Sequence, residues 1–507
     1  MEKEPNNVAT RHEKERLAPQ VSSQPCPLPD VQVSQVPAEA EKEETAGRKI
    51  VSSKRLLPYG IEDEEPPKPK KVPPTFVTCI AIACTVFAGL GDWKVLNDTL
   101  KGLPKAVALG TIACAFLNFL VDADFINVKK AISYFPLYML LIAVYVIISM
   151  FIWVTDFSKV SAISRGAQKV FFQTITIIYA VCMCYLFETR AIDYLFLCMC
   201  ATNAGIMLLE MPKYGIVDSV MSVVTCIVTF GEAKGFVRAL EIHDITFLFG
   251  QFFIYYMMFA PKETPTDRKK RYLCIFLCIF FMLVGLKRST VPAVILMCMY
   301  VKVVRMTKNT QKLVMTTGVG LFLFFYLYLY LVRTGILVEF LESMGIDMMG
   351  RNYLWSLPNP YYEFSPFWKG RGFEAVSDLV AMWVQTGVLS KSLPLHNDIL
   401  KIFIELGAWG FTLWAGINYI LYPLYWMKHY DLENGLLYMS ILAYMTVTYL
   451  TDNTAFYFWS CIGLRLIPMS YSYRIFKTVK RRRWKALSAE DAADVIWNIE
   501  MGGENRK

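Results

Sequence analysis

From residue 74 onward the chain alternates long apolar runs with short polar breaks. The runs lie near residues 74–90, 104–121, 131–154, 168–187, 191–209, 243–260, 272–286, 290–304, 313–334, 398–426, 435–450 and 455–472. Each suits a helix crossing a hydrocarbon core of roughly 30 Å, the shorter ones marginally. The pattern predicts an all-α, polytopic membrane protein with about twelve transmembrane helices. One further stretch, "VDSVMSVVTCIVTF" from Val217 to Phe230, has a different periodicity. On a helical wheel Val217, Val220, Met221, Val224, Ile227 and Val228 share one arc, while Asp218, Ser219, Ser222, Thr225 and Thr229 share the other. Such a helix lies along a membrane interface and does not cross it.

Charge sets the sidedness. With the N-terminus in the cytoplasm, the basic segments "PKETPTDRKKRY", "KVVRMTKNTQK" and "KTVKRRRWK" all fall on the cytoplasmic side. Counting Val217–Phe230 as a crossing would put a basic segment outside. The topology leaves one large outer loop, residues 333–397, between the ninth and tenth spans, and loops so placed carry chemistry or recognition. Residues 1–72 hold ten of the 24 prolines and almost no apolar periodicity, and read as a disordered cytoplasmic tail. No apolar signal-peptide core precedes the first span, so the chain enters the membrane through that span. Residues 73–475 form the membrane domain, and 476–507 a second cytoplasmic tail.

Composition agrees. Of 507 residues 55% are hydrophobic and only 19% charged, which excludes an ordinary soluble globular protein. The net charge of +9 comes from basic residues beside spans, such as Lys68, Lys70, Lys71, Lys269, Lys270 and Arg271, which points to anionic lipid and not to nucleic acid. The 13 cysteines lie almost entirely in apolar segments, where they serve as packing residues and form neither a disulfide framework nor a zinc site.

Candidate chemistry gathers on the outer face. His12 falls in the tail and His429 in an inner loop, which leaves His243 and His396 at outer helix ends. His396 precedes a helix whose positive dipole end favours the neutral imidazole, able to accept a proton. Below it Asp398, Lys401 and Glu405 form a polar stripe on an otherwise apolar span, which predicts that this face meets protein or water. Gly407 and Gly410 allow a close helix contact. Arg288, Arg351 and Arg371 are outer cations of the kind that grips phosphate with a planar fork. The loop aromatics Tyr353, Trp355, Tyr361, Tyr362, Phe364, Phe367, Trp368, Phe373 and Trp383 are suited either to stacking on sugars or to an interfacial belt. Asp122 and Asp124 make an Asp-x-Asp pair on the inner side, read as boundary residues. Carboxylates Glu339, Glu342, Asp347, Glu363, Glu374 and Asp378 are spread along the outer loop without a metal-ligand spacing, so no metal and no other cofactor is expected; Asp398 beside His396 is the exception to watch.

Taken together, "HNDILKIFIELGAWGF", "LKRSTVPAVIL" and "GRNYLWSLPNP…FWKGRGF" resemble three signatures of the bacterial O-antigen ligase and O-antigen polymerase family, in family order. Lys287 stands where the family usually has Ser. The resemblance spans roughly residues 235–460 and includes "TDNTAFYF" near the last span. It implies a GT-C-like membrane glycosyltransferase acting on undecaprenyl-diphosphate-linked oligosaccharide at the outer face of the bacterial cytoplasmic membrane. It further implies an acceptor glycan as second substrate and a chain-length regulator as partner. Carried over, it assigns Arg288 and Arg351 to the diphosphate and His396 to the acceptor hydroxyl, with Asn397, Glu405, Arg371, His243 and Arg238 as substrate-binding candidates. His243 and Asp244 fall where the family often has Asn. Polymerase and ligase share these motifs, and a lipid-linked oligosaccharide flippase or polysaccharide transporter remains the alternative class.

Overall fold

The computed structural model describes residues 73–100, 103–121, 125–156, 160–229, 235–285, 287, 289–345, 348 and 350–474. Both tails, Asp122, Asp124, Asp347 and Arg288 lie outside the described residues. Among the described residues every regular element is a helix. The longer ones are α1 (Thr75–Leu90), α2 (Ala108–Val121), α3 (Phe125–Asp156), α4 (Val160–Phe187), α5 (Ala191–Tyr214), α6 (Ile216–Thr229) and α7 (His243–Ile254). They are followed by α8 (Pro265–Val284), α9 (Thr290–Met306), α10 (Thr310–Thr334), α11 (Ala375–Gln385), α12 (Asp398–Gly416), α13 (Leu432–Thr451) and α14 (residues 458–474).

All twelve predicted apolar segments fall on helices. Four helical stretches, Asn127–Thr155, Ala162–Tyr214, Thr310–Thr334 and Asp398–His429, are long and apolar enough to cross a membrane. Ala162–Tyr214 joins two predicted segments through the turn Glu188–Arg190, where Glu188 takes a left-handed φ of 47°. The other segments are shorter or more polar. In α6 Val217, Val220, Met221, Val224 and Val228 of the apolar arc are exposed, as are Asp218, Thr225 and Thr229 of the polar one, and the buried residues are Ser219 and Cys226.

Gly407 shows a feature that periodicity alone did not reveal. The residue adopts φ 71° and ψ −179° inside α12 and breaks the helix there. The Ala408 amide, which a continuous helix would give to Ile404, donates to the Trp368 carbonyl of the outer loop at 2.8 Å. The freed Ile404 and Glu405 carbonyls accept from Arg371 N at 3.1 Å and Gly372 N at 2.9 Å. A Cβ at Gly370 would sit 2.5 Å from Gly407 N, and one at Gly407 2.3 Å from the Lys369 carbonyl. Two glycines thus let the loop backbone enter the helix, and the Ala408 amide and the Ile404 and Glu405 carbonyls at the break find partners in the loop. Gly410 does make the expected close contact, its Cβ position lying 3.2 Å from Ile148 on α3.

Candidate functional site

Four helix N-termini and one C-terminus meet at one end of the bundle. Asp244, on the first turn of α7, accepts from the Trp459 and Ser460 amides of α14 at 2.9 and 2.8 Å. Asp398, which opens α12, accepts from the Ala455 amide just before α14 at 2.7 Å. Lys287, ahead of α9, reaches Asp452 beyond the end of α13 at 3.1 Å. The positive ends of α7, α9, α12 and α14 therefore converge, an arrangement that favours an anion.

His396 sits in this convergence. It is one of three described non-glycine residues with positive φ, at 51°, and a strained backbone of this kind marks sites where side-chain direction matters. Three contacts fix the geometry around it. Trp355 donates from Nε1 to the carbonyl of Leu395 at 2.9 Å. Asn397 caps α12, its side chain accepting from Leu400 N at 3.0 Å while its amide donates to the Tyr328 hydroxyl at 2.9 Å. His396 Nδ1 lies 3.3 Å from Asp452 Oδ1. With the carboxylate accepting from Nδ1–H, Nε2 is left as the proton acceptor. Asn453 Nδ2, 3.4 Å from the same Nδ1, and the Tyr457 hydroxyl, which donates to Asp452 at 3.3 Å, complete the surroundings.

Asp452 is only 5% exposed. Burial pushes its carboxyl up, but the His396 hydrogen bond and the Lys287 charge outweigh burial and hold it well below the usual carboxylate range. Lys287 also lies 4.0 Å from Glu241, whose carboxyl is held low by the hydrogen bond from His243 at 3.0 Å, against its burial.

The other expected site residues divide into several groups. Arg351 is half-buried; its amide donates to the Met348 carbonyl at 2.9 Å, but its side chain forms no hydrogen bond or ion pair among the described residues, and its charge acts on the Tyr328 hydroxyl that Asn397 holds. It is a cation without an acidic partner beside the His396 helix. Arg371 is exposed; its Nε donates to Tyr361 O at 2.6 Å and ties the loop to itself, while its backbone amide holds the loop on α12. Arg238 is exposed, and its charge acts on Glu241. Asn397 and Glu405 are fully buried, away from any solvent-borne substrate. The polar stripe does face protein, as expected: Lys401 bonds Glu374 at 2.7 Å and lies 3.8 Å from Glu405, which accepts from Val376 N.

Two expectations need correction. Glu374 is not a scattered loop carboxylate but a buried partner of Lys401, drawn in by its own left-handed φ of 64°. Among the loop aromatics, Trp355, Tyr362, Phe373 and Trp383 are buried in packing and have no face free for a sugar; Tyr353 and Phe367 are exposed. Sequence reasoning also missed Asp452, whose signal was an acid closing an apolar span within "TDNTAFYF". Asn397→Ala, which removes a cap and a buried hydrogen bond, is expected to cost about 1–2 kcal/mol, read as a lower unfolding temperature in detergent.

A cavity of about 640 Å³ opens beside this cluster. His243, Glu241 and Asp244 line one wall and Arg165, Lys169 and Glu374 another. No protein-family model matches the chain, and a search of curated proteins finds no match.

Proposed function

We propose that this protein is a membrane glycosyltransferase that polymerises or ligates oligosaccharide carried on a lipid diphosphate, and that it spans the bacterial cytoplasmic membrane about twelve times in a GT-C-like arrangement with both termini inside. The observation that carries the reading is the His396–Asp452 pair beside cations and helix N-termini. In this mechanism His396 Nε2 takes the proton of an acceptor hydroxyl, which attacks the anomeric carbon as the bond to the lipid diphosphate breaks. Asp452 keeps the ring in the required tautomer and balances the imidazolium that forms. Arg351 and the converging helix ends stabilise charge growing on the leaving diphosphate, with Lys287 supporting Asp452. Asn397 and Glu405 act as positioning residues, and Arg371 holds the loop in place.

The test is transfer by purified protein from an undecaprenyl-diphosphate oligosaccharide donor to a glycan acceptor. Transfer is expected to persist in excess chelator, and activity restored only by added Mg²⁺ or Mn²⁺ would remove the cation-only account of the leaving group. Arg351→Lys is expected to lower transfer at least about tenfold, because Lys keeps the charge but lacks the bidentate fork. A transporter of the same lipid is the second reading, favoured by the broken α12. It requires that the purified protein move donor across a vesicle bilayer and leave its sugar attached.

A further inference from the structure

The cavity beside His243 continues inward along a feature that the mechanism above does not use. Arg165, Lys169, Gln173 and Thr176 share one face of α4, spaced by four, four and three residues, and all four line the cavity. The rim is open: the Arg165 and His243 side chains are 38% and 36% exposed. The floor is not, since Gln173 and Thr176 are buried. Behind the floor lies Arg465 of α14, also buried, its guanidinium donating to Gln173 Oε1 at 2.8 Å and to Thr176 Oγ1. A second space of about 50 Å³ adjoins, lined by Arg465 and sharing Gln173 and Phe456 with the larger cavity.

The charges around this track do not cancel. Each acid on the cavity wall already has a partner: Asp92 pairs with Lys105 at 2.7 Å, Glu241 with His243, Glu374 with Lys401, and Asp244 with two backbone amides. Arg165 pairs with Asp378. Two cations remain. The Lys169 side chain forms no hydrogen bond or ion pair among the described residues, though its Nζ lies 6.0 Å from the Phe456 ring and it feels the field of the Lys401–Glu374–Glu405 group. Arg465 has no carboxylate partner among the described residues, only a neutral amide and a hydroxyl. A buried guanidinium without a counter-ion in an apolar bundle is costly, which makes it a functional candidate.

We propose that Lys169 and Arg465 form an anion site for a phosphate-bearing ligand, separate from the His396 cluster, with Gln173 as the neutral stand-in that the ligand displaces. A phosphate brings the negative charge that Gln173 Oε1 lacks and fits the planar guanidinium fork bidentately, which makes it the better-matched partner for Arg465. Under the glycosyltransferase reading, on which the lipid source of the phosphate rests, the track is where the diphosphate of the lipid carrier waits before or after transfer.

The experiment titrates the full-length protein in detergent with inorganic pyrophosphate and with farnesyl diphosphate, following intrinsic tryptophan fluorescence. Wild type is expected to bind at least one probe saturably, with affinity falling steeply with salt. Lys169→Gln and Arg465→Gln are each expected to weaken binding at least tenfold, and His396→Ala to leave it unchanged. Should Arg465→Gln not fold, Arg465→Lys keeps the charge and removes the fork, and Lys169→Gln reports independently from a partly open position. Tighter binding of farnesyl diphosphate assigns the site to a lipid headgroup, and equal binding assigns it to the phosphate alone. No binding by wild type, wild-type binding by both cation variants, or loss of binding on His396→Ala alone overturns the proposal. Binding in a protein that transfers no sugar leaves this site standing and removes the glycosyltransferase reading. Active transfer with undisturbed binding in both variants does the reverse.

Discussion

His396→Ala is expected to lower glycosyl transfer by about 10²–10⁴-fold while the protein stays folded, because the variant lacks the only imidazole set against a buried carboxylate among the described residues. The loss should appear in the rate at saturating donor, since in the proposed mechanism the ring meets the acceptor and not the lipid. Asp452→Asn should fall in the same direction for a different reason. An amide in that place can donate to Nδ1, which moves the ring proton to Nε2 and removes the acceptor. Rates for purified variants, beside their unfolding temperatures, check both. A His396→Ala protein that transfers at the wild-type rate would falsify the general-base assignment.

Gly407→Ala is expected to have a large structural effect for a single added methyl group. At φ 71° and ψ −179°, a region essentially open to glycine alone, an alanine costs about 1–3 kcal/mol in backbone strain alone. The added Cβ would lie 2.3 Å from the Lys369 carbonyl, so either the loop leaves or the helix straightens, each breaking the exchanged backbone bonds. A total of about 3 kcal/mol or more follows when strain and overpacking combine. A lower unfolding temperature together with new protease cleavage inside residues 333–397 is the expected signature. Gly410→Ala should be milder, because its nearest neighbour on another helix is the adaptable side chain of Ile148 at 3.2 Å. If the two variants unfold alike, the loop does not depend on the break.

What the sequence disclosed and what it hid follow from the range of the interactions involved. Apolar periodicity is local, so all twelve hydrophobic segments and the existence of a separate helix at α6 were legible. The helix start after His396 was also legible, whereas the capping role of Asn397 and its burial were not. Pairings between distant segments were hidden: His396 with Asp452, Lys401 with Glu374, and Arg465 with Gln173 and Thr176 are separated by 56, 27, 292 and 289 residues. The glycines of α12 illustrate the limit. A glycine in a membrane helix reads equally as a packing contact or a break, and here Gly410 is the first and Gly407 the second.

The exchange of backbone bonds between residues 368–372 and α12 bears on how such a protein can be re-engineered. A loop on the surface can be traded between relatives as a cassette, whereas this one supplies hydrogen-bond partners to a span whose own ladder is incomplete without it. Chimeras that exchange this region must therefore carry loop and helix across together, with cut points before residue 333 and beyond the π-helical turn Ile417–Leu421. A graft that moves the loop alone gives the host helix a break with no matching strand, or a matching strand with no break to enter.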